Sequence, residues 1–236
     1  YHTDHHWTVP SAFYATGKII DHLNQKFEAN LDPDGYYRDL NNYTIETYSH
    51  IYMGSQGRDA GLIYSRRLDD YSFLYPKFAT NYHYYSRYKG GKEANKDGPI
   101  ERTLIDRKYL DYADPYDREM NNSYLQGVVR FDQIDNKLNP NGPTALFIRD
   151  SYSSPVATFL SPMFSRIELL WSLHFSPTGD GSIQKMLEKK HFDYVFVALA
   201  LDNFTNEGTP FYTDDPKAAE NGDADVAAQG QDPAAH

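Results

Sequence analysis

The sequence predicts an α/β fold: three layers around a mostly parallel sheet, with a β-rich insertion and a disordered acidic C-terminal tail. Three observations predict it. Short apolar runs at 144–148, 166–171 and 193–201 read as buried strands. Between the first two, Val156, Phe159, Leu160 and Met163 follow Pro155 at i, i+3, i+4 and i+7, the spacing of a helix, and 182–190 reads as a second helix. Strand, helix, strand, helix, strand in succession implies right-handed crossovers and a sheet covered on both faces.

The earlier elements follow from local signals. Thr8 has the character of a helix N-cap, with Pro10 in the first turn. Phe13, Ile20, Leu23 and Phe27 then recur at helical spacing, which predicts a helix over about 9–28. Asp32-Pro33-Asp34-Gly35 ends it as a turn. From 43 to 78 the pattern is short and β-like, with Gly as punctuation in Ile51-Tyr52-Met53-Gly54-Ser55 and Gly61-Leu62-Ile63-Tyr64. Residues 79–123 are rich in Tyr, Lys and Asp with weak periodicity and read as an irregular β insertion. Within it, Lys89-Gly90-Gly91-Lys92 reads as a hairpin tip or mobile loop. No internal repeat is visible.

Composition narrows the function classes. A chain of 236 residues suits one generous domain with appendages, here a catalytic domain over 1–205 and a tail over 206–236. The formal net charge of -10 argues against nucleic acid as a partner, because phosphate binding needs a basic face. Six of those negative charges sit in the tail, where Glu207, Asp214, Asp215, Glu220, Asp223, Asp225 and Asp232 face one base, Lys217, which reads as a solvated segment. The mean hydropathy is -0.71 and no apolar run has the length of a membrane span. With no cysteine there is neither a disulfide framework nor thiolate chemistry. The 21 tyrosines suit both sugar contact and half-buried sheet positions, and composition does not choose between them. The chain opens at Tyr1 without a Met start or signal peptide, so a fragment or processed form is expected.

Two motifs carry chemistry. The first is Thr3-Asp4-His5-His6-Trp7-Thr8 and the second is Ile148-Arg149-Asp150-Ser151-Tyr152. Ser151 falls just past a buried strand and just before a helix, at the carboxyl edge of a parallel sheet, where ligands bind. Backbone N–H groups at a helix start stabilise a developing oxyanion. A serine hydroxyl needs an adjacent base to act as a nucleophile; the bland alternative is that Ser151 only caps the helix. In an extended segment Asp4 and His6 share a face. The carboxylate would then fix the imidazole tautomer and leave the other ring nitrogen free. Asp, His and Ser would complete a triad, which geometry rather than chain order defines. The alternatives for the first motif are a metal site and a solvated turn.

The string Thr3-Asp4-His5-His6-Trp7-Thr8 resembles the signature of the DHHW protein family, which is similar to the alginate O-acetyltransferases of the AlgX/AlgJ type, whose pattern is Asp-x-His-Trp. The resemblance continues at Tyr52-Met53-Gly54-Ser55 with Gly61-Leu62-Ile63-Tyr64, at Phe147-Ile148-Arg149-Asp150-Ser151-Tyr152, and at Phe192-Asp193-Tyr194-Val195-Phe196-Val197, covering about residues 1–204. It implies an SGNH-hydrolase-like fold with rearranged motif order, and a triad that moves acetyl groups onto or off a polysaccharide. By position Ser151 is the nucleophile, His6 the general base and Asp4 the orienter, while His5 fills the variable position. Trp7 matches the family's Trp and either packs beneath His6 or stacks on a sugar ring. With Tyr152 and Gly127 it makes a set of candidate substrate-binding residues. The resemblance further implies an extracytoplasmic setting, no cofactor or metal, a polysaccharide substrate, and a membrane-bound O-acyltransferase as acetyl supplier.

Other features rank lower. Gly127 and Gly54 are candidate second oxyanion donors, with turn glycines as the plain alternative. No arginine after the nucleophile matches a substrate-binding role; Leu173-His174 sits near where one is expected. The run from Tyr82 to Lys89 combines rings and bases and reads as a glycan-binding wall or as a Tyr-rich hairpin surface. Sequons occur at Asn42, Asn121 and Asn203. Three competing functions stand beside the acetyltransferase. A carbohydrate acetylesterase uses the same chemistry with water as acceptor. A DHH-type metal-dependent phosphoesterase shares Asp4-His5-His6 but needs further Asp and His ligands. A non-catalytic glycan-binding protein would keep the site without using it.

Overall fold

The computed structural model describes residues 1–88, 91–110, 119–127, 129–171 and 183–200. The expected acidic tail, Leu173-His174, Asn203 and the Lys89-Gly90 half of the expected hairpin tip lie outside these residues.

The chain begins with the motif segment and then enters α1 (Val9–Phe27), capped by Thr8, whose hydroxyl accepts the Ser11 N–H at 3.3 Å. Val9, Ala12, Phe13, Thr16, Ile20 and Leu23 are buried at helical spacing, which makes one apolar stripe. Asp32 closes the turn after it by accepting the Gly35 N–H at 3.0 Å. Next come β1 (Tyr43–Tyr52), the short helices α2 (Ser55–Ala60) and α3 (Leu62–Ser65), and β2 (Asp69–Pro76), which pairs antiparallel with β1 as a separate two-stranded sheet. The β-like pattern expected across 43–78 is therefore interrupted by helix at 55–65. That helix has no apolar periodicity of its own. It forms against the motif segment, where the Gly57 N–H donates to Thr3 O at 2.8 Å, a contact the local sequence cannot reveal.

The remaining strands are β3 (Tyr82–Arg87), β4 (Glu93–Gly98), β5 (Phe131–Asn136), β6 (Thr144–Arg149), β7 (Arg166–Trp171) and β8 (Tyr194–Ala198). The remaining helices are α4 (Ile100–Thr103), α5 (Ser153–Leu160) and α6 (Ile183–Lys189). All six strands form one sheet in the order β4-β3-β5-β7-β6-β8. The expected β6–α5–β7–α6–β8 succession is present, and β6 pairs in parallel with both β7 and β8. The other neighbours, β4–β3, β3–β5 and β5–β7, are antiparallel. The sheet is mixed, which corrects the mostly parallel expectation. Strands β3 and β4 likewise pair antiparallel as an integral part of the main sheet, through β3 on β5. The cause is visible in the side chains. Tyr82, Tyr84 and Ser86 face inward while His83, Tyr85 and Arg87 alternate outward, the signature of a half-solvated antiparallel strand.

One face of the sheet packs on α1 and α5. Ala145, Phe147, Ile167 and Leu169 join Phe13, Ile20, Val156, Ala157 and Leu160 in the core, and the Phe13 and Phe159 rings meet edge to face at 5.2 Å. The opposite parity of β6 and β7 is also buried (Leu146, Ile148, Leu170 and Glu168), and Lys190, just past α6, pairs with Glu168 at 2.9 Å. Burial on both parities is why these strands read as continuous apolar runs.

The tyrosine question is settled for six rings. Tyr43, Tyr52, Tyr71, Tyr82, Tyr84 and Tyr124 are buried core residues. Their hydroxyls find polar partners, as in Tyr71 to Met120 O at 2.9 Å and Tyr124 to Leu74 O at 2.9 Å. Tyr82 and Tyr84 are thus unavailable for a glycan-binding wall, and the Tyr85 hydroxyl donates to Glu93. No helix among the described residues is long and apolar enough to cross a membrane.

Candidate active site

The two motifs meet. His6 Nε2 lies 2.6 Å from Ser151 Oγ, and His6 Nδ1 lies 2.6 Å from Asp4 Oδ1, although 145 positions separate His6 from Ser151. The ionised carboxylate can only accept, so Nδ1 carries the ring proton, Nε2 presents its lone pair, and the Ser151 hydroxyl donates to it. Asp4 is buried. Burial alone would oppose its ionisation, but hydrogen bonds from the His6 ring, the His6 N–H and the Ser55 N–H outweigh it and hold the carboxyl well below the usual carboxylate range.

The first motif is a bend rather than the expected extended strand. Asp4 Oδ1 accepts the His6 backbone N–H at 2.8 Å, so the two residues meet through an Asx-type turn instead of through strand alternation. Asp69, the first residue of β2, anchors the bend. It accepts the His2 N–H at 2.9 Å and both the Thr3 N–H and the Thr3 hydroxyl at 2.7 Å. Asp4 Oδ2 takes the Ser55 N–H at 2.9 Å, at the start of α2. Asn121 adds an amide N–H to Asp4 at 3.4 Å and to the Tyr52 hydroxyl at 2.8 Å.

Gly54 sets the space for this carboxylate. A Cβ on Gly54 would lie 2.0 Å from Asp4 Cβ and 2.3 Å from Oδ2. Its φ of -72° suits any residue, so the constraint is purely steric. Gly54→Ala is expected to push Asp4 off His6 and lower kcat at least about 100-fold, because a displacement near 1 Å in a catalytic group costs that much. Steady-state kinetics beside a thermal melt would check it; unchanged kcat in the folded variant would refute the steric argument.

The second motif sits where strand β6 ends and α5 begins. Asp150 is buried, and its Oδ1 takes the Tyr152 N–H at 2.9 Å while Oδ2 takes the Ala200 N–H at 2.5 Å. This holds the turn that carries Ser151. The Ser151 N–H donates to no protein atom among the described residues. Ser151 is not the helix cap; Tyr152 occupies that position.

Trp7 and Tyr152, the candidate substrate-binding residues, lock the two motifs together. The Trp7 indole N–H donates to Tyr152 O at 3.1 Å, and the Tyr152 hydroxyl donates to His5 O. The Tyr152 ring stacks on His6, with centroids 5.2 Å apart. Gly127 does not offer a second oxyanion donor, because its N–H donates to Tyr124 O at 3.2 Å inside a turn. Gly54 is equally committed, with its N–H on Thr3 Oγ1 at 3.0 Å. The φ of +88° at Gly127 and the 2.6 Å approach a Cβ there would make to Asn122 explain a glycine on conformational grounds.

Beneath the serine turn lies a buried ion pair. Arg149 is fully buried, pairs with Asp132 on β5 and donates to Ser154 Oγ at 2.9 Å. Tyr84 on β3 donates to the other oxygen of Asp132. Burial pushes the Asp132 carboxyl up, to about 6 even with Arg149 and Tyr84 opposing it. Sequence reading missed this network and also missed Ser55 and Asn121. A backbone N–H leaves no residue signature, whereas Arg149 stands out as a charge at the end of the apolar run of β6.

No family description and no curated protein matches the chain. Solved structures do. A DHHW family protein from Eubacterium siraeum superposes with a TM-score of 0.62 at 14% identity, over 93% of this chain and 62% of that one. The chain shares its fold with a DHHW family protein. PatB1 from Bacillus cereus, solved with a sulfonyl adduct, gives 0.63 at 16% identity over 86% of this chain and 60% of its own. A second structure of PatB1 from Bacillus cereus gives a TM-score of 0.59 at 17% identity, over 86% of this chain and 63% of that one. The chain thus spans about three fifths of the length of these structures.

Proposed function

We propose that residues 1–205 form the catalytic domain of a serine-dependent O-acetyltransferase acting on an extracellular polysaccharide through an acetyl-Ser151 intermediate. The observation that carries the reading is the unbroken Asp4–His6–Ser151 relay at the carboxyl edge of β6. Ser151 Oγ attacks the acetyl carbonyl as His6 Nε2 takes its proton, and Asp4 stabilises the imidazolium that forms. The Ser151 N–H is the oxyanion donor the turn leaves free. His6 gives the proton to the alcohol that departs from the acetyl donor, then takes one from the acceptor hydroxyl as that oxygen attacks the acetyl-serine, and gives it to Ser151 Oγ as the acetyl–serine bond breaks. Water as acceptor makes the same site an acetylesterase. The sulfonyl adduct of PatB1 supports the reading, since an activated nucleophile yields such a product on attacking a sulfonyl electrophile. The DHHW and AlgX/AlgJ resemblance supports the polysaccharide, the extracytoplasmic setting and a membrane-bound O-acyltransferase as acetyl supplier.

The test pairs hydrolysis of a chromogenic acetate with labelling by a sulfonyl fluoride. The expected result is one sulfonyl group on Ser151, competed by the acetate. No label on Ser151 and no hydrolysis would overturn the proposal in favour of a non-catalytic glycan-binding protein, and hydrolysis that survives Ser151→Ala would overturn it in favour of chemistry elsewhere on the chain.

A further inference from the structure

Asp4, His5 and His6 bring three metal-ligating atoms within 4.8 Å of one another. His5 takes no part in the relay. Its ring is 41% exposed, lies 4.0 Å from the His6 ring, and turns Nδ1 toward Asp4 Oδ1 at 4.0 Å and toward Ser55 Oγ at 3.1 Å. We infer that this cluster is an inhibitory site for a thiophile-tolerant, imidazole-preferring divalent cation such as Zn²⁺, bound by His5 Nδ1, His6 Nδ1 and Asp4 Oδ1 with water in the fourth position.

The fit is a matter of small movements. Tetrahedral zinc bonds of about 2.0–2.1 Å place neighbouring donors about 3.3 Å apart. The His6–Asp4 pair, at 2.6 Å, must open, and the His5–Asp4 pair, at 4.0 Å, must close, each by about 0.7 Å on that geometry. Asp4 is the pivot of both. A buried carboxylate and two imidazoles form a donor set that suits zinc over calcium or magnesium.

Inhibition follows from the tautomer. In the relay Nδ1 of His6 carries the proton and Nε2 is the base. Metal on Nδ1 displaces that proton, and the neutral ring carries one on Nε2 instead. The proton count of the ring is unchanged, but Nε2–H now donates to Ser151 Oγ and no base remains. The metal therefore blocks the reaction without touching the serine.

This inference rests on the relay reading, and its test separates the two. Calorimetry with ZnCl₂ on the full-chain Ser151→Ala variant measures binding without activity; one site is expected, lost in the Ser151→Ala/His5→Ala double variant. Cobalt in place of zinc should show the intense visible bands of a tetrahedral ion. With wild type, Zn²⁺ at about ten times its dissociation constant should slow acetate hydrolysis about tenfold, with recovery on chelation. His5→Ala should hydrolyse as wild type does and resist the metal. Undiminished zinc binding or inhibition in His5→Ala overturns the inference, as does activation by zinc or no binding at millimolar concentration. A His5-dependent site on a chain that shows no Ser151-dependent hydrolysis would leave the metal site standing and remove the acetyltransferase.

Discussion

His6→Ala and Ser151→Ala are each expected to lower kcat for acetate ester hydrolysis by about three orders of magnitude, and the double variant by no more than the worse of the two. The reason is that the residues act as a unit. Without the imidazole, the serine keeps its proton; without the serine, the imidazole has nothing to activate. Three orders correspond to about 4 kcal/mol of barrier. What remains would come from the Ser151 N–H and substrate binding. Additive losses in the double variant would mean that the two residues serve separate steps, and the 2.6 Å contact between them would then be incidental. Asp4→Asn extends the argument. An amide presents a donor as readily as an acceptor to Nδ1, so the ring can take the wrong tautomer, and the loss expected is no larger than that of His6→Ala, at most about 10³-fold. The Asp4 carboxyl is held below its ordinary range, so it stays ionised wherever the protein is folded and is expected to contribute no limb to a pH–rate profile above about pH 4. Its stabilisation of the fold is present above the unfolded-state value near 3.9 and is lost only as pH falls through the lower folded value.

Legibility followed burial. Strands β6, β7 and β8 and the helices between them could be read because both parities of β6 and β7 are apolar and α5 begins near Pro155. The hairpin of β3 and β4 was harder. Its inward residues are tyrosines, a type that serves core and surface alike. They are buried only because Ser161, Asp132 and the Leu125 carbonyl meet their hydroxyls from far along the chain. Helix α2, Ser-Gln-Gly-Arg-Asp-Ala, carries no periodic pattern and is imposed by the docking of Thr3. The site divides in the same way. Asp4, His6 and Ser151 were visible because the chemistry demands those side chains. The supports of Asp4 were not, since a Ser55 N–H could come from almost any residue. Trp7 and Tyr152 were visible as residues but not as a clamp, because an indole N–H on a carbonyl 145 positions away has no local trace.

Arg149→Met is expected to be the most destabilising single change in the serine turn. It removes the partner of a fully buried carboxylate, and breaking one side of such a pair costs about 3–5 kcal/mol. In a chain of this size that is a fall in Tm on the order of 10 °C. Asp132→Leu on top of it should recover most of the stability, because an apolar pair of similar volume costs no desolvation of charge. The pH dependence has a definite sign. Burial raises the Asp132 carboxyl, and Arg149 is the largest force holding it down, so the loss of Arg149 raises it further. An acid whose folded value lies above its unfolded value near 3.9 loses stability as pH rises between the two, so the variant should be less impaired at pH 5 than at pH 8. Thermal melts across that range would check it. Activity should not return with stability. Arg149 also holds Ser154 Oγ in the first turn of α5, next to the nucleophile, and Asp132 is the anchor for Tyr84. The stable double variant should therefore keep its KM for the acetate and a reduced kcat. Full recovery of kcat would show that the pair serves folding alone and that the serine turn holds its shape without it.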